Sequence, residues 1–503
     1  MYRLTISYPT LISNALVVLL ITSIFFYFKW CYSYWKRKNI PSPKPILPFG
    51  NILDSKYSLP SMHEILKLIY DDMKGRGHKH CGLYVFSRPI YLLIDPEYIK
   101  VIMTRDFHHF TDRGIYHNEQ DDPIGSHILV LEGQKWRRLR TKFTPTFTIG
   151  KMRLMFDSLA DCARQMLQFV ARTSSNPLDI KETCACFTTD VIGSCVFGIN
   201  CNSFDEEGTE FRRYGRKLFD IPLSLVLRMI FCSTFPNLAK SLRMKIIDPE
   251  SAKFFMGFIE ETLKFREEKG IVRNDFLQLL MEMRQRDRDG LSINEIAAQA
   301  FLFFVAGFET SSTTMAFCIY ELAHNPDVQE KARHEIHEVL AGNGGALSYD
   351  GVMEMKYLSR VVDETLRKHP SVPSVPRICT KDYKLPDGEN YIEAGTQVFV
   401  PVFALHRDPE FYPDPEKFDP DRFTEENKSR RHPYTYLPFG EGPRICLGQR
   451  FGLLQVKIGL ITLLNDYVFS PNPQTTYPLK YDRYSTFLTV KQPVWVNVEK
   501  IAR

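Results

Sequence analysis

The sequence predicts a mainly α-helical protein with small β-sheets, an α+β fold, preceded by an N-terminal transmembrane helix. Three observations predict it: an uncharged apolar run near the N-terminus, helical periodicity through most of the body, and a few short runs typical of strands. Of the 503 residues, 44% are hydrophobic and 13% are aromatic, which is enough for a sizeable core. A net charge of +5 is small for this length and excludes a strongly basic nucleic-acid-binding protein.

The N-terminal apolar run predicts a membrane anchor, which we place at residues 1–28. Leu4–Phe28 carries no charge, and a helix over Leu11–Phe28 would span about 27 Å, close to the thickness of a bilayer core. Only Arg3 precedes the run whereas several basic residues follow it, so the charge bias places the rest of the chain in the cytosol. An interfacial aromatic belt is predicted at Tyr27, Trp30, Tyr32, Tyr34 and Trp35. A cleaved signal peptide is the alternative, which the lack of a small-residue cleavage site after the run disfavours.

Residues 29–50 are predicted to form a basic and proline-rich hinge. Pro41-Ser42-Pro43-Lys44-Pro45 is stiff and extended, so it would hold a globular domain at a set angle to the membrane. No later linker is long enough to separate domains, and residues 51–503 are therefore predicted to form one large domain.

The eleven cysteines form an odd set without repeated spacing, so they do not predict a disulfide framework. Cys184 and Cys186 are the one close pair, and we interpret them as small packing residues because no second pair completes a zinc site. Most of the chain is therefore expected to face a reducing compartment.

Short β-type runs predict small sheets between the helices. The segments on either side of Ser87-Arg88-Pro89 predict a hairpin, Tyr84–Phe86 with Tyr91–Ile94. Other strands are predicted near Thr396–Pro401, Thr486–Val490 and Val494–Val498.

One long helix is predicted from Ser292 to Asn325. Ser292-x-x-Glu295 is a capping box, and Pro326 ends the helical pattern. About 33 residues at 1.5 Å each would give roughly 50 Å, enough to cross a large domain. The middle of this helix, Ala300–Val305, is apolar almost all round and should be buried.

The apolar part of this helix is followed by Ala306-Gly307-Phe308-Glu309-Thr310. Gly307 would leave room for a ligand or a water beside the backbone, and Thr310 would bond to an upstream carbonyl and bend the helix. Because an unpaired buried carboxylate is costly, Glu309 predicts a polar pocket in an apolar groove. The alternative is a helix kink with a surface glutamate.

A glycine-rich loop, residues 438–448, holds a single cysteine just before a helix-prone run. Gly440, Gly442 and Gly448 permit positive φ and close backbone approach. Backbone N–H groups and the positive end of the following helix would favour the thiolate of Cys446. One thiolate suits a metal that needs a single strong axial donor, whereas a buried structural cysteine is the alternative.

The spacing from Phe439 to Gly448, Phe-x-x-Gly-x-Arg-x-Cys-x-Gly, resembles the haem-ligand loop of the cytochrome P450 monooxygenases. The resemblance implies the cytochrome P450 fold, in which a long central helix lies over haem b. It also implies that Cys446 is the axial thiolate ligand of the iron, that Phe439 shields the sulfur, and that Arg444 pairs with a haem propionate.

Trp136 and Arg140 lie one turn apart on a predicted helix, so an indole N–H and a guanidinium would reach the same anion. The pair resembles the family's Trp-x-x-x-Arg motif, which implies a further propionate contact; ordinary packing is the alternative. Arg377 stands where some members of the family place another propionate-binding arginine, and a surface arginine is its equal alternative.

Ala306–Thr310 resembles the family's oxygen-activation motif, Ala-Gly-x-Glu-Thr. The resemblance implies that Thr310 hydrogen-bonds O2 and that Glu309 helps to deliver protons through water. Glu364 and Arg367 fit the family's Glu-x-x-Arg helix, a pattern that recurs elsewhere in the sequence and carries weight only through its order among the motifs. With Arg422 they are implied to form a buried structural network on the haem side.

Two other stretches are similar to insect microsomal members of family 6: Phe107-x-x-Phe110-x-Asp112-Arg113-Gly114 and Cys379-Thr380-Lys381-Asp382-Tyr383. The resemblance covers essentially the whole chain and implies an NADPH- and O2-dependent monooxygenase of the unspecific type. A flavoprotein NADPH–cytochrome reductase would supply the electrons, and a contribution from a b-type cytochrome stays open. We expect the endoplasmic reticulum membrane, with the catalytic domain on the cytosolic face, and no nucleic-acid partner.

The implied substrates are lipophilic xenobiotics such as plant toxins or insecticides. The family's recognition segments imply a lining whose members are also compatible with plain core: Phe110, Ile115, Ile128, Phe303, Val375 and Phe487. Three alternatives remain: the same chemistry on an endogenous hormone or fatty acid, a non-catalytic haem-binding sensor, and a cofactor-free helical membrane protein. A peroxide-using isomerase is disfavoured because Glu309-Thr310 keeps the proton-relay pair.

Overall fold

The computed structural model describes residues 8–52, 61–173, 177–205, 210–286, 290–388 and 390–502. Helices dominate, as the periodicity predicts. The α-helices in these ranges are α1 (Tyr8–Cys31), α2 (Tyr34–Arg37), α3 (Met62–Gly75), α4 (Pro96–Lys100), α5 (Gly133–Phe143), α6 (Ile149–Arg172), α7 (Ile180–Ile192), α8 (Glu210–Phe219), α9 (Leu223–Thr234), α10 (Pro236–Ser241), α11 (Pro249–Lys269), α12 (Phe276–Arg286), α13 (Ile293–His324), α14 (Pro326–Gly342), α15 (Tyr349–Glu354), α16 (Lys356–Lys368), α17 (Val402–Leu405), α18 (Glu425–Arg430) and α19 (Gln449–Asp466).

Small sheets accompany the helices. The strands of the described residues are β1 (His80–Val85), β2 (Arg88–Leu93), β3 (Leu178–Asp179), β4 (Val375–Ile378), β5 (Tyr383–Lys384), β6 (Tyr391–Ile392), β7 (Gln397–Val400), β8 (Tyr467–Pro471) and β9 (Trp495–Lys500). The largest sheet has the order β1-β2-β7-β4, in which only β2 and β7 are parallel. The others are β3-β9-β8 and the pair β5-β6.

Most of the strand predictions are confirmed. β1 and β2 form the predicted antiparallel hairpin, and β7 and β9 lie at the strands predicted near Thr396–Pro401 and Val494–Val498. The strand predicted at Thr486–Val490 is wrong. The backbone N–H of Leu488 donates to the carbonyl of Ser371, 3.0 Å away, so this segment is bound to the linker before β4 and not to a strand.

The predicted long helix is α13, and its capping box is confirmed. The Ser292 hydroxyl accepts from the Glu295 N–H at 3.1 Å, and the Ser292 N–H donates to the Glu295 carboxylate at 2.9 Å. Because α13 packs against α7 and α19, most of its side chains lie in the larger hydrophobic core. Cys184 and Cys186 are buried in α7, as the packing interpretation predicts.

The predicted anchor corresponds to α1, an apolar helix whose described side chains are nearly all exposed. Its segment Ile12–Cys31 has a mean hydropathy of 1.8 and makes a helix long enough to cross a membrane. The central helix α13 also passes a length and hydropathy test, but 72% of its most apolar window is buried. The helix α13 therefore belongs to the core, and α1 fits a transmembrane anchor.

The hinge after α1 lies against the largest sheet instead of standing free of the domain. Trp35, predicted for the interfacial aromatic belt, is buried, and its indole N–H donates to the Leu83 carbonyl at 3.0 Å. A Cβ at Gly82 would overlap the Trp35 ring, so this glycine makes room for the indole. Trp35 is therefore a core residue, and the hinge is fixed to the domain at this point.

Candidate active site

The cysteine loop is a series of tight turns that ends at the N-terminus of α19. The Cys446 N–H donates to the Phe439 carbonyl at 2.9 Å and closes the loop. Gly440 and Gly442 have φ of +69° and +74°, values that favour glycine. A Cβ at Gly442 would also overlap the Met103 carbonyl oxygen, so this position has no room for another residue.

Gly448 does not adopt the positive φ that glycine permits. It has φ of −86° and ψ of 10° and precedes the first turn of α19, where any residue fits the backbone. A Cβ built there would meet no atom within 4 Å, so the space in front of Gly448 is open. That open space lies beside Cys446 and is suited to a flat ligand close to the backbone.

Cys446 is the one exposed cysteine, whereas the other ten are buried. Burial nevertheless raises the pKa of its thiol, against the lowering effects of the Gly448 N–H and of the charges on Arg113 and Arg140. A side chain that is accessible and yet surrounded by protein lines an internal cavity. Cys446 therefore faces a cavity, with one backbone donor and two cations that favour its thiolate.

Arg377 and Arg444 are buried cations with unsatisfied N–H groups. Arg377 is fully buried, and its Nε and Nη2 have no hydrogen-bond partner in the described part of the chain. Burial, with Arg113 and Arg444 nearby, holds the pKa of Arg377 well below its usual range. Arg444 donates to the carbonyls of Thr111 and Leu131, but its Nη1 is likewise unsatisfied.

Trp136 and Arg140 both lie beside the cysteine loop, but they do not point at one shared anion in this structure. The Arg444 guanidinium stacks over the Trp136 ring, 4.1 Å from its centre. The Arg140 guanidinium donates to the Ile445 carbonyl at 2.8 Å. The Trp-x-x-x-Arg pair thus contacts the cysteine loop from α5. Trp136 stacks on the guanidinium of Arg444, and Arg140 bonds to the backbone of the loop.

Arg113 completes the cluster, and sequence reasoning gave it no role. It donates to the carbonyls of Leu129 and Arg444, at 3.1 and 3.2 Å. Burial lowers the pKa of Arg113 to about 10, opposed by Cys446 and reinforced by Arg140. The sequence signal for Arg113 is its place in the Phe107–Gly114 stretch that resembles family 6.

The side chains around the cavity fit haem. Asp112, which is 3.4 Å from Arg444, and Glu132 are the carboxylates that act on Arg444, and they leave an excess of positive charge around Arg113, Arg140, Arg377 and Arg444. Buried guanidinium N–H groups without partners favour carboxylates, and haem b carries two of them. The accessible thiol next to them is the residue type that ligates haem iron in the P450 class.

One face of α13 opens onto a cavity. Ala306 is exposed, and Phe303, Gly307 and Thr310 are partly accessible at helical spacing, although the helix is otherwise mostly buried. The Thr310 hydroxyl donates to the Ala306 carbonyl at 2.5 Å, as predicted. The space beside Gly307 is taken by the Ile192 side chain of α7, with which a Cβ would overlap. The Cβ direction of Gly307 therefore meets α7, and its role in leaving room for a ligand stays a prediction.

Glu309 is buried and accepts hydrogen bonds from two hydroxyl groups. Thr489, near the C-terminus, donates at 2.9 Å, and Thr313, one turn along α13, donates at 3.3 Å. The alternative of a helix kink with a surface glutamate therefore does not describe this residue.

Glu364 and Arg367 form a fully buried ion pair with two hydrogen bonds of 2.7 and 2.9 Å. The Asp419 N–H donates to the same carboxylate at 2.9 Å. Arg422 is 3.5 Å from that carboxylate, within ion-pair distance but without a hydrogen bond from its Nε. The structure thus brings the three predicted residues together, with the contact of Arg422 the weakest.

The residues predicted for the substrate pocket divide between cavity and core. Phe303 and Phe487 are partly accessible and Ile115 likewise, whereas Ile128 and Val375 are buried. Phe110 is fully buried and packs edge-on against Tyr383 in the core beside the largest sheet, so it offers no surface to a ligand.

Comparisons with known proteins agree with the motifs. The model of the family described as cytochrome P450 matches residues 40–498. Probable cytochrome P450 6a13 of Drosophila melanogaster is 44% identical, over 94% of this chain and 96% of the relative. Cytochrome P450 6A1 of Musca domestica is 39% identical, over 96% of this chain and 97% of the relative. These matches confirm the resemblance to insect family 6.

Proposed function

This chain belongs to the cytochrome P450 family of monooxygenases, and we propose that it is a membrane-anchored enzyme that oxidises lipophilic xenobiotics with electrons from NADPH. The observation that carries the proposal is the accessible Cys446 beside buried arginines whose N–H groups lack partners. Haem bound there would supply O2 activation and the insertion of one oxygen atom into a substrate.

In this proposal the cysteine loop holds a thiolate and the arginines hold the haem carboxylates. Cys446 would bind the iron through Sγ, and the Gly448 N–H and the charge of Arg140 would stabilise its negative charge. The free N–H groups of Arg377 and Arg444 would donate to the propionates. Phe439, which is partly buried against the helical core, would shield the sulfur from water.

The polar groups on α13 would deliver protons to the cavity. Thr310 lies on the accessible face and would hold a water at its hydroxyl once that group turns from the Ala306 carbonyl. Glu309 would accept a proton from one water and then give it to the water held at Thr310. The hydroxyls that now bond to its carboxylate stabilise the form that accepts the new proton.

An apolar lining supports the choice of lipophilic substrates. Phe303, Ala306 and Phe487 present accessible apolar surface. The anchor α1 would keep the domain at a lipid surface, where such molecules concentrate. We therefore propose the endoplasmic reticulum membrane, with the domain on the cytosolic side.

A flavoprotein NADPH–cytochrome reductase is the proposed electron donor. It would reach the cysteine side through α5, where Arg137 is exposed and Arg140 touches the cysteine loop. The basic loop that precedes the cysteine loop is less suited to docking, because Arg430 pairs with Glu426 and His432 with Glu97.

The test reconstitutes the full-length protein with the reductase in phospholipid vesicles under ¹⁸O2. Biphenyl serves as the lipophilic xenobiotic probe and lauric acid as the fatty-acid probe, with Cys446→Ser as the inactive control. We expect NADPH-dependent hydroxybiphenyl that contains one ¹⁸O atom. Oxidation of lauric acid alone would contradict the proposed substrate class and favour an endogenous substrate, and no oxidation of either probe would contradict the proposal as a whole.

A further inference from the structure

Glu309 is a buried carboxylate whose orientation is set by hydroxyl groups. Among the described residues, the groups seen to donate to the Glu309 carboxylate are hydroxyls and not cationic side chains. The Thr489 and Thr313 hydroxyls both donate to the same oxygen, Oε1. Thr489 makes the shorter of the two bonds, 2.9 Å against 3.3 Å, and comes from a different part of the chain.

The segment that carries Thr489 is itself fixed close to α13. The neighbouring Leu488 N–H donates to the Ser371 carbonyl, and the Thr489 carbonyl accepts from the Asp482 N–H at 2.7 Å. Ser371 and Thr314 of α13 lie within hydrogen-bond distance, 3.1 Å. Thr489 is buried, so its hydroxyl is held in place and is shielded from water.

The Thr310 hydroxyl is bonded elsewhere, to the Ala306 carbonyl. Successive residues on a helix point about 100° apart. A single rotamer of Glu309 therefore cannot both bond to Thr489 and reach the face of α13 that carries Thr310. We propose that Thr489 is a positioning residue for Glu309, holding its carboxylate away from the cavity until a proton is needed.

This inference rests on the proposed role of Glu309 in proton delivery. Phe487, two residues before Thr489, is partly accessible and contacts Phe219, with ring centres 6.1 Å apart. A substrate that displaces Phe487 would shift the same short segment and release the carboxylate. Thr489 would thus connect occupation of the pocket with proton delivery.

The test compares Thr489→Val with Thr489→Ser, which keeps the hydroxyl. Thr462→Val is the matched control, because the Thr462 hydroxyl bonds only to a carbonyl of its own helix, that of Ile458. In Thr489→Val the carboxylate would be free whether or not the pocket is occupied, so proton delivery would no longer be matched to the presence of substrate. With biphenyl, NADPH and reductase, the ratio of hydroxybiphenyl to hydrogen peroxide is therefore expected to fall about tenfold, the size expected for losing a hydrogen bond to a charged group. The KM for biphenyl should stay within about twofold, and Thr489→Ser and Thr462→Val should keep the ratio of the wild type.

A second measurement does not depend on turnover. Amide hydrogen exchange of residues 482–490 is measured in the resting protein without NADPH, for Thr489→Val, Glu309→Leu and the double variant. Each single variant should accelerate exchange, and the double variant should add nothing further, because both substitutions remove the same Thr489–Glu309 hydrogen bond. Additive effects on the exchange rate would overturn the inference. Because this measurement needs no turnover, it also tests the inference if the Thr489→Val protein is inactive.

Glu309→Gln separates failure of the inference from failure of the proposed function. If Glu309→Gln leaves the product-to-peroxide ratio unchanged, the proposed proton role of Glu309 is wrong and the inference falls with it. If Glu309→Gln lowers the ratio and Thr489→Val does not, the inference alone is overturned.

Discussion

Replacing Arg377 by methionine should stabilise the apoprotein and weaken its binding of haem. Arg377 is fully buried, beside two cations, with two N–H groups that lack partners. Replacing a buried ion pair by apolar side chains of similar volume is often neutral or stabilising by about 1–4 kcal/mol, so removing a buried guanidinium with unpaired N–H groups should be at least as favourable. Losing one partner of a buried charge pair costs about 2–5 kcal/mol, so haem should dissociate roughly 30-fold faster or more.

The assay measures both quantities on the same variants. Urea unfolding of protein from haem-depleted cells gives the stability of the apoprotein, and transfer of haem to excess apomyoglobin gives the dissociation rate. Arg266→Met is the matched control, because Arg266 is also buried but bonds to Asp275 at 2.6 and 2.9 Å. It should lose about 3–5 kcal/mol of stability. An Arg377→Met apoprotein destabilised like Arg266→Met, or unchanged haem dissociation, would refute the reasoning.

Two other predictions concern buried backbone contacts near the loop. Burial lowers the pKa of His406 to about 3, and its Nε2 accepts from the Leu437 N–H at 2.9 Å. The unfolded chain takes up this proton below pH 6.5, so the stabilisation is complete above pH 6.5 and is lost as pH falls toward 3. In His406→Gln, unfolding free energy measured against pH should be flatter across that window; an unchanged slope would contradict the assignment. Gly442→Ala should destabilise the apoprotein by about 1–2 kcal/mol from its positive φ alone, and more from its overlap with the Met103 carbonyl. Gly448→Ala, with φ of −86° and open space at its Cβ, should leave apoprotein stability unchanged in thermal unfolding and lower haem content instead. Equal destabilisation by the two alanines would contradict this account of the loop.

Local patterns in the sequence predicted the elements that local chemistry determines. The capping box at Ser292 and Glu295 sets the start of α13, and the turn residues between β1 and β2 set the hairpin. The spacing around Cys446 identified the cysteine loop because its glycines, arginine and cysteine act within one short segment.

Contacts between distant segments could not be read from such patterns. Thr489 and Glu309 are 180 positions apart, and no periodicity relates them. The burial of Trp35 depends on the space left by Gly82. Nothing in the sequence around the proline-rich hinge indicates that these two residues are in contact. The packing of Gly307 against Ile192 is likewise a contact with another helix, α7, which no local pattern indicates.

The measurement that tests the central claim most directly is the CO difference spectrum of reduced membranes that contain the protein, beside Cys446→Ser. The account predicts a long-wavelength Soret band in the wild type that is lost in the variant, because only a thiolate ligand gives that band. A Soret band at the ordinary wavelength in both proteins would mean that another residue ligates the iron, and would contradict the account.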